Sequence, residues 1–210
     1  CFINWGIFLD PMAEHTRAFL ITGARGNLGV ELMKVFPGAL GVGRAEFDIT
    51  DRDSVFRFIE LTKPGTVIHL AALTDVPKCE HEKELAWRTN VVGTENIVEA
   101  LSSSAPDACF VYISTACVFR GDRGNYGEND IPDPVNFYGL TKLIGEFAAK
   151  RMKNHLVIRT NFVPRDPWKH DRAFTDRYGT YLFADDVARG TKEVVEKNLT
   201  GIVHVCGDKK

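Results

Sequence analysis

Two side chains with opposite proton chemistry stand four residues apart in Tyr138-Gly139-Leu140-Thr141-Lys142. On a helix that spacing brings both to one face. A free phenol titrates at about 10, and a neighbouring ammonium favours the phenolate and is expected to pull that value down. Such a pair can pass a proton to or from an oxygen on a bound molecule. Upstream, Ser114-Thr115 close an apolar run. The Thr115 hydroxyl could orient the same oxygen, or it could satisfy a loop backbone group, the simpler fate expected of Ser114. Tyr-x-x-x-Lys is common on surface helices, so its weight depends on what precedes it.

What precedes it is a phosphate-type turn. Thr22-Gly23-Ala24-Arg25-Gly26-Asn27-Leu28-Gly29 follows the apolar run 18–22 and leads into a helical pattern. Gly23 can turn sharply, Gly26 lets backbone approach a pyrophosphate, and Gly29 permits close helix packing. The first helical turn, with Arg25, Asn27 and Leu28, would then offer N–H groups and a positive dipole end to an anion. A plain tight turn is the bland alternative, but the order strand, turn, helix favours a dinucleotide.

The elements that must hold these groups alternate. Short apolar runs predict strands at 18–22, 39–42, 66–70, 109–113, 156–159, 181–183 and 201–205, those at 39–42 and 181–183 being the weakest. Helical spacing predicts helices at 28–36, from Asp51 to Pro64-Gly65, 82–103, 137–152 and 185–197. Residues 121–136 and 164–179 read as loops. The alternation implies a doubly wound parallel α/β sheet of Rossmann type. Met12 reads as an initiator, with 1–11 as upstream or appended sequence and 12–210 as one dinucleotide-binding domain.

Composition excludes several other classes. The chain has 210 residues, 26 Lys+Arg against 28 Asp+Glu, 44% hydrophobic and 26% charged. That is neither a disordered chain nor a fibre. The balance gives no electrostatic argument for nucleic acid or an anionic membrane. No run approaches the roughly 18 apolar residues of a membrane span. Five cysteines without a Cys-x-x-Cys pair point to a reducing, cytoplasmic compartment. His69, His81, His155 and His204 show no metal-ligand spacing, and Trp87, Phe56 and Phe58 read as packing residues.

The spacing Gly23-x-x-Gly26-x-x-Gly29, with Leu70-Ala71-Ala72-Leu73, Asn90-Val-Val-Gly-Thr94 and Tyr138-x-x-x-Lys142, resembles the extended short-chain dehydrogenase/reductases. Asp48-Ile49-Thr50-Asp51, Ser114-Thr-Ala-Cys-Val-Phe119, Tyr138 to Glu146 and Arg159-Thr-Asn161 are most similar to their nucleotide-sugar branch, the dTDP-4-dehydrorhamnose reductase type. The resemblance implies NADPH reduction of a 4-keto nucleotide sugar. Tyr138 would protonate the new alkoxide, Lys142 would tune Tyr138 and grip the ribose, and Thr115 would orient the carbonyl. Leu70, Ala71 and Ala72 would pass along the adenosine side, with Asp48 and Ile49 near the adenine. Asn90 would either join the cofactor site or brace its helix. A homodimer is compatible with this family.

Three departures shape the expectation. Ala116 and Cys117 replace the family's Asp-Tyr, which removes polar contacts and puts rhamnose specificity in question; Cys117 reads as a small pocket-lining residue. Gly43-Arg44 lacks the acid that many relatives use for the adenosine 2′-hydroxyl, so Arg44 and Arg25 would favour a 2′-phosphate, making NADP the preferred cofactor over NAD. The chain stops at Lys210, where relatives continue, implying a truncated chain or a reduced sugar pocket with substrate elements around 164–183. The loop cations Arg165, Lys169, Arg172 and Arg177 would either lie near the nucleotide diphosphate or simply be solvated. A nucleotide-sugar 4-epimerase and a non-catalytic NADP-binding regulatory subunit are the alternatives.

Overall fold

The computed structural model describes residues 19–165 and 179–208. Segment 1–11 and most of the loop 164–179, with Lys169, Arg172 and Arg177, lie outside them. The chain forms a doubly wound parallel sheet. Its strands are β1 (Phe19–Thr22), β2 (Leu40–Val42), β3 (Thr66–His69), β4 (Cys109–Thr115), β5 (Asn154–Thr160) and, later, β8 (Gly201–His204), in spatial order β2-β1-β3-β4-β5-β8. Every pairing is parallel, with Thr22 opposite His69 and Thr115 opposite Thr160. From β1 the chain steps outward to β2, then crosses back to β3 on the other side. That reversal opens a crevice at the carboxyl ends of β1 and β3, where such sheets bind ligands.

Strand alternation builds a core on each face. Phe110, Tyr112 and Val157 point toward α2 (Arg52–Thr62), α5 (Gly93–Ser104) and α6 (Phe137–Ala149), meeting Ile59, Ile97, Leu101 and Ala149. Val111, Ile113 and Ile158 point the opposite way, toward α1 (Asn27–Val35) and α7 (Ala184–Glu196), meeting Leu32, Val187 and Ala188. Each such buried side chain contributes about 1.5–3 kcal/mol. Strands covered on both faces therefore read as continuous apolar runs.

Helix starts follow local chemistry. Asp51 accepts from Ser54 N at 3.1 Å to cap α2, and Asn136 accepts from Gly139 N at 2.7 Å to cap α6. The predicted helix 82–103 is broken instead. It comprises α4 (Lys83–Trp87), a π-helical turn (Arg88–Val92) and α5, preceded by α3 (Val76–His81), whose Asp75 cap and Pro77 the helical pattern alone did not reveal. The wide turn carries Asn90 into the interior. Strand 181–183 forms as β7 (Leu182–Phe183), but it pairs with β6 (Phe162–Val163) outside the main sheet. Trp87, read as a packing residue, is 41% exposed. Among the described residues no helix is long and apolar enough to cross a membrane.

Candidate active site

A cavity of about 680 Å³ runs along the carboxyl edge of the sheet. At one end is the glycine turn. Gly23 has φ +69°, and a Cβ there would stand 2.8 Å from Ala71 N, so the two crossing loops touch backbone to backbone. Helix α1 has Gly26 at its N-cap, so no side chain caps it, unlike α2 and α6, and its first turn carries no acid, unlike that of α2. Its start is thus suited to an anion. Gly23, Arg25, Gly26, Asn27, Leu28 and Gly29 all line the cavity, as do Leu70, Ala71 and Ala72 from the loop after β3.

Asn90 does not. Its Oδ1 accepts from Leu73 N at 2.7 Å, and its Nδ2 donates to Leu73 O and to Thr141 Oγ1, each at 3.0 Å. Through these bonds Asn90 ties the loop after β3 to helix α6. A buried relay runs beside it. Thr22 Oγ1 lies 2.7 Å from His69 Nδ1, His69 Nε2 lies 3.1 Å from Thr94 Oγ1, and Thr94 donates to Asn90 O. Because Thr94 spends its proton on that carbonyl, the network assigns the proton of His69 to Nε2. Burial, together with the charge of Lys142, pushes His69 down to about 3.

At the far end the cavity meets Thr115, Cys117, Tyr138, Lys142, Thr160 and Asn161. Helix α6 approaches closely because Gly139 has no side chain: a Cβ there would lie 2.2 Å from Cys117 O. Thr115 Oγ1 accepts from Cys117 N at 3.1 Å and donates to Asn161 Oδ1 at 3.3 Å. It therefore meets a loop backbone group and still faces the cavity. Ser114 turns inward and donates to Glu146 at 2.6 Å. Asn161 and Thr160, whose buried Oγ1 has no hydrogen-bond partner, have no sequence-assigned role. Only their place after a β-strand, within Arg159-Thr-Asn161, signals them.

The proton chemistry differs from the spacing-based expectation. Burial pushes the Tyr138 phenol up, with the Cys117 and Cys79 thiols adding to it and a hydrogen bond to Thr115 opposing it. Lys142 is not among the groups that shift it; its Nζ lies 4.1 Å from the centre of the Tyr112 ring. Lys142 itself is brought down to about 7 by burial, against the pull of Glu146. Desolvation is the largest effect on both groups, and the phenol stays protonated at neutral pH.

At the adenosine end, Arg44, Asp48 and Ile49 line the wall. Asp48 Oδ1 accepts from Thr50 N at 2.9 Å and Thr50 Oγ1 at 2.8 Å. Burial raises its pKa, but these bonds and Arg44 outweigh that and hold the carboxyl below its usual range. Arg44 Nε is 3.8 Å from Asp48. Among the described residues no group of His, Cys, Asp or Glu could hold a metal ion.

Residues 17–175 match the family described as RmlD substrate binding domain. The chain belongs to this family. It is similar to a dTDP-4-dehydrorhamnose reductase of Mycolicibacterium smegmatis, with 38% identity over 233 residues, covering 96% of this chain and 70% of that one. It is similar also to methionine adenosyltransferase 2 subunit beta of Danio rerio, with 36% identity over 154 residues, covering 68% and 46%. Among solved structures, the dTDP-4-dehydrorhamnose reductase of Bacillus anthracis in complex with NADP superposes with a TM-score of 0.78 at 28% identity, covering 90% and 74%. Family and fold together support an NAD(P)-dependent nucleotide-sugar oxidoreductase or epimerase.

Proposed function

We propose that this RmlD-family protein reduces a 4-keto nucleotide sugar with NADPH, accepting NADH less well. The observation that carries the reading is that Thr115, Tyr138 and Lys142 wall the same cavity as the glycine turn. The residues fit the cofactor: an uncapped helix start free of acids for the pyrophosphate, with Gly23, Gly26 and Gly29 on the cavity wall beside it. NADPH supplies the hydride that adds to the carbonyl carbon. Tyr138, kept protonated by burial, gives its proton to the carbonyl oxygen while Thr115 holds that oxygen in place. Lys142, on the same cavity wall, would hold the ribose. Ala116 and Cys117 carry smaller and less polar side chains than the family's Asp-Tyr, so the substrate need not be the rhamnose precursor.

The likeness to methionine adenosyltransferase 2 subunit beta favours one second reading, a cofactor-binding regulatory subunit. NADPH depletion across a panel of dTDP-, UDP- and GDP-linked 4-keto-sugars separates the two. Turnover with one member is expected. Tight NADPH binding with no turnover on any would replace the first reading by the second.

A further inference from the structure

The end of β2 is where a dinucleotide site chooses between a ribose hydroxyl and a phosphate, commonly with an acid for the one and an arginine for the other. Position 43 has no side chain, yet a carboxylate reaches it. The chain turns back immediately: Glu46 N and Phe47 N both donate to Gly43 O, at 3.2 and 2.9 Å. This returns Glu46 to the strand end, where its Oε2 accepts from Gly43 N at 3.1 Å. The acid missing at 43 is supplied from three residues further on.

The same carboxylate engages a cation from the glycine turn. Arg25 lies across Gly43 so closely that a Cβ at 43 would stand 2.8 Å from both its Cδ and its Nε. Its Nη2 donates to Glu46 Oε1. Arg25 and Gly43 both line the cavity, and the Arg25 side chain is 74% exposed, within reach of a ligand. Arg44, the other cation at this end, has among the described residues a long contact of 3.8 Å to Asp48.

We propose that Glu46 is a positioning residue that acts through Arg25 to limit how strongly the site prefers a 2′-phosphate over a 2′-hydroxyl. The proposal rests on the dinucleotide reading of the cavity. A phosphate must draw Arg25 away from Glu46 and then sit beside a like charge; a hydroxyl can leave the pair intact. The chain therefore binds both cofactors, with the preference for NADP set by how readily Arg25 is released.

Titration calorimetry with NADP⁺ and NAD⁺ tests this without turnover. Glu46→Gln keeps an acceptor for Gly43 N–H and removes only the charge. It is expected to raise the NADP⁺ to NAD⁺ affinity ratio by about two- to fivefold, the scale of one exposed charge pair. Arg25→Ala is expected to lower that ratio, and the double variant to behave like Arg25→Ala alone. A merely structural role would weaken both ligands equally, so an unchanged ratio in Glu46→Gln overturns the proposal. Wild-type protein that binds neither nucleotide would overturn the dinucleotide reading itself, a result distinct from an unchanged ratio.

Discussion

Glu146 and Arg159 form a two-point ion pair inside the protein. Arg159 Nε donates to Oε1 at 2.9 Å and Nη2 to Oε2 at 2.7 Å, with the side chains 3% and 1% exposed for Arg159 and Glu146 respectively. With the Ser114 hydroxyl on the same carboxylate, the pair ties helix α6 to the ends of β4 and β5, directly behind Thr115 and Lys142. Glu146→Ala would leave the guanidinium buried and unpaired, which costs about 3–5 kcal/mol. Urea unfolding measures this. A loss under about 1 kcal/mol would mean that water or another acceptor replaces the carboxylate.

Tyr138→Phe removes one hydroxyl from the wall of the cavity and leaves the ring. Turnover is expected to fall at least about a hundredfold, the lower range for losing a positioned proton donor. NADP⁺ affinity should stay within about twofold, since the glycine turn and the adenosine end are untouched. Stopped-flow reduction and equilibrium titration on one preparation check both. Full activity would remove Tyr138 from the chemistry.

Asn90→Ala separates bracing from cofactor contact. The substitution leaves Leu73 N, Leu73 O and Thr141 Oγ1 without the amide that bonds them. Losing a buried hydrogen-bonding group costs about 1–3 kcal/mol, so the thermal midpoint should drop by several degrees. Cofactor affinity should change much less than stability. A large loss of affinity in a protein that still melts normally would return Asn90 to the cofactor site.

The parts of this architecture legible in the sequence are those with a local cause. Strands buried on both faces read as apolar runs, and Gly23, Gly26 and Gly29 announce a turn by residue type alone. The π-helical turn at Arg88–Val92 was not legible, because its inward Asn90 is held by Leu73 and Thr141, distant in the chain. Glu46 was hidden for a similar reason: its meaning depends on a turn that carries it back to Gly43. The expected lowering of Tyr138 failed on a quantity that spacing does not contain. Four residues place the lysine nearby, but only the packed structure shows that burial is the larger effect and that the lysine stands over the Tyr112 ring.

That burial makes Lys142 a source of pH dependence. The groups acting on it are the Tyr112 ring from β4, His69 from β3, and Glu146 on its own helix. An unfolded lysine titrates at about 10.4, whereas the folded one is held at about 7. Between those values the unfolded chain carries a proton that the folded chain has released, so stability rises with pH across that window. Below about pH 7 the full cost of the buried ammonium is present. Lys142→Met should therefore be more stable than wild type at pH 6, by on the order of a few kcal/mol, with the gap closing toward pH 10. In catalysis the sign is opposite: if the ammonium is the working form, kcat/KM falls as pH rises through about 7. Glu146→Gln, which removes the charge supporting that ammonium, should move the fall to lower pH. An unmoved profile in a folded Glu146→Gln protein would show that Glu146 does not act through Lys142.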